Sequence, residues 1–265
     1  MREARLKLKG TYQILGFTMM VLIVSVGSLS LGQTIRGDSS YTKWSKPEAE
    51  KILNDSLWVS VQEVRIRRAA QSQRVAGAPP SQLKDETNSV LSSGSDIPID
   101  FIFTLRLRSA LPIREALVRL KQLDAKYDSM DEKQKVVFDA GVKGLLECPA
   151  CANNYVLTLS SKSKNSPGAD AVFSTFKGAR IEDVKRYIYI ANERGERREL
   201  VHIVPPKAPG EEAIFFFPRF DDKGNLLFTP DSKEIIVNLT NNEVNISANF
   251  HLDISKLVEN GQVLF

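Results

Sequence analysis

Both cysteines of the chain lie where a helical pattern ends and a strand pattern begins. Residues 131–147 space their apolar side chains as a helix does, and residues 154–160 alternate as a strand does. The segment between them contains Cys148-Pro149-Ala150-Cys151. Pro149 disfavours the helical conformation at Cys148, so we expect the helix to end there. This junction predicts a chain with helices before it and mainly strands after it.

Two of the ordinary uses of a C-x-x-C pair are not favoured by the surrounding residues. Haem attachment requires a histidine directly after the second cysteine, where this chain has Ala152. Structural zinc takes four ligands, and His202 and His251 lie in strand-like runs far along the chain from the cysteines. We therefore expect neither a metal nor a cofactor at the pair.

A structural disulfide and a redox dithiol are the two interpretations that remain. Reactive cysteines are activated at a helix N-terminus, whose dipole favours the thiolate, whereas Cys148 follows a C-terminus. Cys148 also continues the apolar helix face that contains Gly141 and Leu145, so we expect it to be buried and Gly141 and Gly144 to face a neighbouring element. We predict a structural disulfide, Cys148–Cys151. The alternative is a periplasmic thiol–disulfide protein that uses the same two residues.

Residues 1–33 match a signal peptide or an N-terminal membrane anchor. A basic start precedes an uncharged apolar run, residues 14–26, and then small or polar residues. The run is shorter than the about 20 residues that span a bilayer, which favours cleavage. Membrane attachment through residues 11–31 is the alternative. We expect an exported protein, periplasmic or anchored facing the periplasm, where a disulfide persists.

The charge of the chain gives no support for nucleic-acid binding. The chain has 36 basic and 32 acidic residues, and residues 1–33 contain four of the former and one of the latter. The remainder has 32 and 31, which is nearly neutral. We expect no nucleic-acid partner.

Residues 34–168 are predicted to form an α+β region with a flexible loop, residues 68–97, that is rich in Ala, Ser, Gly and Pro. Strands at residues 57–67 and 99–108 flank the loop, so we expect them to pair. The first changes the register of its alternation, which predicts a β-bulge. If these strands pair, their arginines would form one basic stripe: Arg65, Arg67, Arg106 and Arg108. A solvated sheet face explains such a stripe, and a binding site for an anionic partner is the alternative.

Three helices are predicted in the same region. Ser45 and Glu48 form a capping box at the start of the first. Residues 112–127 and 131–147 form two amphipathic helices. In the first of these two, the leucines share a face with Ile113, while Arg114, Arg119 and Gln122 lie elsewhere.

Residues 169–265 are predicted to be rich in strands, either as a separate region or as one domain with residues 34–168. We expect a hairpin of residues 187–191 and 198–204, and a strand at residues 213–217 that is apolar throughout and therefore covered on both faces. The predicted fold class is α+β: mainly antiparallel, sandwich-like sheets with two packed amphipathic helices.

None of the common catalytic or nucleotide-binding motifs occurs in the sequence. We therefore expect a non-enzymatic binding or structural protein of the cell envelope, whose partner is another envelope protein or surface. A hydrolase with an unrecognised site is a further alternative, and it would require His202 or His251 beside carboxylates.

Three stretches carry a resemblance to a known group of proteins. They are Trp44…Glu48-Ala49-Glu50…Leu53-Asn54-Asp55-Ser56-Leu57-Trp58, then Cys148 to Tyr155, then Val204-Pro205-Pro206…Phe215-Phe216-Phe217-Pro218-Arg219. The chain resembles uncharacterised exported proteins of environmental Gram-negative bacteria, some of whose relatives carry a GWxTD domain, although it lacks the G-W-x-T-D string itself. The resemblance implies an envelope location and no catalytic activity.

Overall fold

The strands and helices follow the alternation and the periodicity of the sequence. The computed structural model describes residues 40–66, 98–242, 246–259 and 262–265. The strands in these residues are β1 (Val59–Ile66), β2 (Ile99–Leu107), β3 (Asn154–Ser163), β4 (Ile188–Asn192), β5 (Arg197–Glu199), β6 (His202–Val204), β7 (Ala213–Pro218), β8 (Glu234–Asn241), β9 (Ile246–Asp253), β10 (Val258–Glu259) and β11 (Gln262–Val263). The α-helices are α1 (Lys46–Asn54), α2 (Leu111–Asp124), α3 (Glu132–Glu147), α4 (Ala171–Phe176) and α5 (Ile181–Val184).

The strands form two larger antiparallel sheets and one small hairpin. The first sheet has the order β1-β2-β3-β7-β6, the second has the order β5-β4-β8-β9, and β10 pairs with β11. The sheets meet at one edge, where β1 lies against β9 and the Ser60 hydroxyl accepts from the His251 backbone N–H at 3.3 Å. The predicted α+β fold with mainly antiparallel, sandwich-like sheets is confirmed.

One face of the first sheet carries the core. Leu105, Leu159 and Ala213 lie side by side on β2, β3 and β7, and each is completely buried. Because side chains alternate along a strand, every second residue joins this face. Its other fully buried residues are Phe103, Leu107, Leu157, Phe215 and Phe217. The second sheet contributes Ile190, Val237 and Leu239 to the core, all with no exposed area.

The opposite face of the first sheet is held to α1 by Arg106. Its guanidinium donates to the Leu53 carbonyl at 2.5 Å and to the Asn54 side chain at 2.9 Å. It also donates to Ser160 on β3 at 3.0 Å and to Glu212 at 2.6 Å. The side chain is only 11% exposed, so these bonds satisfy a charge that is largely removed from water. Arg106 therefore connects α1, two strands and the segment before β7.

The start of α1 and the buried face of α2 depend on polar side chains. The predicted capping box is present: the Ser45 backbone N–H donates to the Glu48 carboxylate at 2.7 Å. On α2, however, Arg119 and Gln122 are buried, whereas the sequence pattern places them outside. Arg119 donates to the Trp44 carbonyl at 2.7 Å and so ties α2 to the segment before α1.

Helix α3 differs from the expectation of a buried face. It begins with the capping box of Asp131 and Gln134, but none of its residues is buried. Cys148, at its C-terminal end, is half-buried rather than buried. Gly141 and Gly144 have no neighbouring atom within 4 Å of an added Cβ, so the close approach expected for them does not occur within the described part of the chain.

Several details of the strands differ from the sequence prediction. β1 pairs with β2 residue for residue, so the predicted bulge is absent. The antiparallel register places Arg65 opposite Asp100 and Arg106 opposite Val59, at opposite ends of the pair. The basic stripe is therefore not formed by Arg65, Arg106 and Arg108; Arg67 lies outside the described residues.

Two further strand predictions are corrected in the second half of the chain. Residues 198–204 do not form one strand, because β5 pairs with β4 in the second sheet while β6 pairs with β7 in the first. β7 is not covered on both faces: its residues alternate between buried and half-buried.

Some predictions concern residues beyond the described ranges. Residues 1–33, as a signal peptide or anchor, and the predicted loop at residues 68–97 belong to this group. Among the residues that the structure describes, no helix is both long enough and apolar enough to cross a bilayer. The described residues form one compact unit, in which strands on both sides of residue 168 share the five-stranded sheet.

We expect Arg106→Met to lower the free energy of unfolding by about 2–3 kcal/mol, because it leaves Glu212 and the Leu53 carbonyl without their partner. Urea unfolding at neutral pH measures the difference. Arg65→Met is the matched control, because Arg65 pairs with Asp100 at 2.6 Å but is 62% exposed. Its unfolding midpoint should stay close to that of the wild type. Equal losses in the two variants would contradict the role given to Arg106.

Candidate functional site

The end of α3, the two cysteines and the start of β3 form a tight turn, residues 147–154. Cys148 has a left-handed backbone, with φ of 47°, and its N–H donates to the Gly144 carbonyl at 3.1 Å. A single 3₁₀ turn, Pro149–Ala152, then leads to β3, and the Cys151 N–H donates to the Cys148 carbonyl at 2.8 Å. Cys148 and Cys151 form a disulfide within this turn, as predicted.

Side chains from three different elements hold the carbonyl groups of this turn. Arg114, in the first turn of α2, donates to the Glu147 carbonyl at 3.1 Å. Arg219, directly after β7, donates to the Cys151 carbonyl at 2.8 Å. Asn154, the first residue of β3, donates to the Ala150 carbonyl at 3.1 Å. The turn is therefore fixed to a helix and to two strands as well as by its disulfide.

Arg219 lies between the turn and an aromatic cluster. Its guanidinium carbon is 4.8 Å from the centre of the Tyr155 ring, and it also donates to the Phe265 carbonyl at 2.8 Å. Tyr155 packs edge-on against Phe228, with ring centres 4.9 Å apart, and its hydroxyl accepts from the Phe228 N–H. Burial lowers the pKa of Arg219 and raises that of Tyr155, because each charged form is poorly solvated there.

A second feature of the site is the arginine cluster, which consists of Arg108, Arg114 and Arg219. Burial is the main cause that lowers the pKa of Arg114; the nearby charge of Glu115 opposes it, and those of Arg219 and Arg108 lower this pKa further. The Arg114 Nε atom is buried without a hydrogen-bond partner.

Arg108 follows the last residue of β2 and is half-buried. Burial lowers its pKa, and the charge of Glu212 opposes that shift. Its side-chain nitrogens bond to no other described residue, and none of them is buried without a partner, so they reach water. The sequence pattern predicts Arg108 in a basic stripe, which the register does not form.

The geometry of the cysteines favours a structural disulfide over redox catalysis. Cys148 lies at the C-terminal end of α3, where the helix dipole disfavours a thiolate. Cys151 is only 8% exposed, which limits the approach of a second disulfide. Arg114 and Arg219, beside the turn, would instead favour a reactive thiolate, because a positive charge stabilises the thiolate. The buried sulfur of Cys151 and the polar bonds of the turn nevertheless suit a structural disulfide.

The two histidines lie in different sheets. His251, on β9, bonds through Nδ1 to Glu234 at 2.7 Å at an exposed position, and the nearby Ser60 hydroxyl binds its backbone rather than its ring. His202, on β6, packs against Phe216 with ring centres 5.1 Å apart. In the described parts of the chain, no group of His, Cys, Asp and Glu side chains is arranged to hold a metal ion.

The fold and the site define a class of protein: an antiparallel sandwich in which a disulfide turn connects a helix to the central strand of one sheet. Comparison with protein-family models, with curated proteins and with solved structures gives no match. The resemblance to exported proteins related to those with a GWxTD domain therefore stays a prediction.

We expect the double variant Cys148→Ser/Cys151→Ser to lose about 2 kcal/mol of unfolding free energy, because the disulfide closes only a short loop. Urea unfolding under oxidising conditions measures this loss. Wild-type protein in excess reductant should match the variant, and the variant itself should not respond to reductant. Turnover of a disulfide substrate by the wild type would instead support the thiol–disulfide alternative.

Proposed function

We propose that this is an exported, non-enzymatic protein of the cell envelope that acts by binding another envelope protein through helix α3. The observation that carries the proposal is the exposure of this helix. None of the 16 residues of α3 is buried, and Val136 and Val137 are 67% and 74% exposed. The apolar face of α3 that contains Phe138, Val142 and Leu145 is only half-buried, whereas a helix of this length normally buries such a face. A partner that covers Val136 and Val137 would bury apolar area that the described part of the chain leaves open to water.

The glycines of α3 support the same interpretation. Gly141 and Gly144 each cost the helix about 1 kcal/mol relative to alanine. Nothing within the described residues requires their small size, because an added Cβ at either position meets no atom within 4 Å. Val137, Ala140, Gly141 and Gly144 are all exposed and lie along one side of the helix. Such a surface allows the backbone of a partner to approach closely.

Helix α3 is held at its middle and at its C-terminal end. At its middle, the rings of Tyr127 and Phe138 have centres 5.2 Å apart, and the Tyr127 hydroxyl donates to Asp139 at 2.9 Å. At its end, the disulfide turn and Arg114 hold the last carbonyl groups. A surface fixed before binding loses less conformational entropy on association.

The chemistry of α3 favours a protein partner with an apolar face. Three lysines and three acidic residues balance one another along the helix: Lys133, Lys135, Lys143, Glu132, Asp139 and Glu147. This balance gives no attraction to an anionic membrane surface. The basic, apolar leader at residues 1–33 and the disulfide support the envelope location, since both are typical of exported chains.

We expect Gly141→Ala and Gly144→Ala each to raise the free energy of unfolding by about 0.5–1 kcal/mol, because alanine favours the helix and space is available for its methyl group. The same substitutions should weaken partner binding if the glycines serve close approach. Urea unfolding and capture of the partner from solubilised envelopes measure the two effects. If the two variants are more stable and still capture the partner as well as the wild type does, the glycines do not serve close approach of a partner.

A photo-crosslinking amino acid at Val137 in intact cells tests the contact surface directly. We expect crosslinking from this position to one specific partner protein. Val201 is the matched control, because it is also a valine, is 52% exposed and lies between β5 and β6. Cell fractionation of the same samples, with N-terminal sequencing, tests export and cleavage. Recovery of uncleaved protein from the cytosol, or identical crosslinks from both positions, would contradict the proposal.

A further inference from the structure

Helix α3 has an outer face, on the side opposite to its half-buried residues Phe138, Val142 and Leu145. The residues of the outer face recur every three or four positions and are all exposed: Lys133, Val136, Val137, Ala140, Gly144 and Glu147. Among the described residues, no atom lies within 4 Å of a Cβ added at Gly144. The outer face therefore points away from the described part of the chain.

The outer face is self-complementary about Ala140. Lys133 and Glu147 lie seven residues before and seven residues after it, and they carry opposite charges. Val136 and Gly144 lie four residues before and after it, so a bulky side chain on one side corresponds to a bare backbone on the other. In two antiparallel copies of α3 related by a two-fold axis at Ala140, each of these residues meets its counterpart in the other copy. The axis thus forms two lysine–glutamate pairs and places two valines over two glycines.

The charged ends of the outer face are available to a second copy. Lys133 forms no ion pair with any residue that the structure describes. Glu147 is 3.7 Å from Lys143, and both of these side chains are more than half exposed. Such an exposed pair contributes little to stability, so Glu147 can also pair with a second lysine. The charges favour antiparallel helices, because parallel copies would place Lys133 against Lys133.

We propose that the protein partner of α3 is a second copy of this chain, bound as an antiparallel pair of α3 helices about a two-fold axis at Ala140. The inference rests on the proposed function, since it names the protein that α3 binds. The pair covers Val136 against Gly144, and Val137 under the aliphatic stem of Lys143. A single helix pair is small for a protein interface, so we expect a dissociation constant of about 10–100 μM.

Cysteine substitution at the axis tests the geometry in intact cells that produce the full chain. The two copies of residue 140 face each other, so Ala140→Cys should form an interchain disulfide, which non-reducing electrophoresis detects. Lys143→Cys is the matched control, because it is exposed on the same helix but its two copies lie about 9 Å apart along the helix axis. No dimer from Ala140→Cys, or equal dimer from both positions, would overturn the proposal.

Charge reversal distinguishes recognition between copies from a structural effect. Lys133→Glu and Glu147→Lys each place like charges opposite one another in both contacts, and each should weaken self-association about tenfold. A mixture of the two variants should associate as the wild type does, because each contact again joins a lysine to a glutamate. Sedimentation of the purified full chain in detergent measures association. A mixture that associates no better than either variant alone would contradict the pairing.

Urea unfolding checks that the charge-reversal variants remain folded. Lys133→Glu adds a negative charge near the N-terminus of α3, and Glu147→Lys adds a positive charge at its C-terminus. Both changes suit the helix dipole, so the unfolding midpoints should stay close to that of the wild type. Weaker association with an unchanged midpoint supports the proposal, whereas a lost transition would assign these side chains a structural role instead.

Crosslinking from Val137 separates this inference from the proposed function. Two copies of the chain with different affinity tags are produced together, and only one carries the photo-crosslinking amino acid. A crosslinked species with both tags, joined near Lys143 of the second copy by mass spectrometry, supports the proposal. Crosslinks to a different envelope protein alone would overturn the pairing of two copies and leave the proposed function in place. No crosslink to any protein would overturn both.

Discussion

The antiparallel register of β2, β3 and β7 is the constraint on which the rest of the structure depends. Side chains that share a register position share a face, so Leu105, Leu159 and Ala213 point into the core together. The same register places Arg106 and Thr158 on the opposite face, toward α1. A shift by one residue would exchange these two sets. The position of α1, which Arg106 holds against this face, follows from the same alignment.

Two arginines near the end of β2 differ in how much the fold uses them. Arg106 satisfies its donors within the chain, and its loss would leave Glu212 and a carbonyl group unpaired. Arg108 directly follows β2, and its side-chain nitrogens reach water instead of bonding to a described residue. Internal bonding therefore gives Arg106, and not Arg108, a part in holding the sheet to α1.

Sequence periodicity predicted the parts of the fold that depend on neighbours along the chain. Alternation located β2 and β3, and the spacing of Ser45 and Glu48 predicted the start of α1. Periodicity failed where a distant group decides the outcome. The burial of Arg119 depends on the Trp44 carbonyl, 75 residues away, and no local pattern encodes that bond. The division of residues 198–204 between two sheets likewise depends on β7, whose position is a property of the whole sandwich.

The disulfide fixes the C-terminal end of α3, the helix for which we propose a role in binding. Its ring is small, so on the chain-entropy model it contributes only about 2 kcal/mol. Its geometric effect is larger, because it fixes the last turn of α3 to the start of β3, where Arg114 and Arg219 hold carbonyl groups. Without the covalent link, only hydrogen bonds from Arg114, Arg219 and Asn154 would hold the end of a helix none of whose residues is fully buried. The position of the C-terminal end of α3 would then vary more. The two cysteines thus matter for the direction of the helix more than for the stability of the fold.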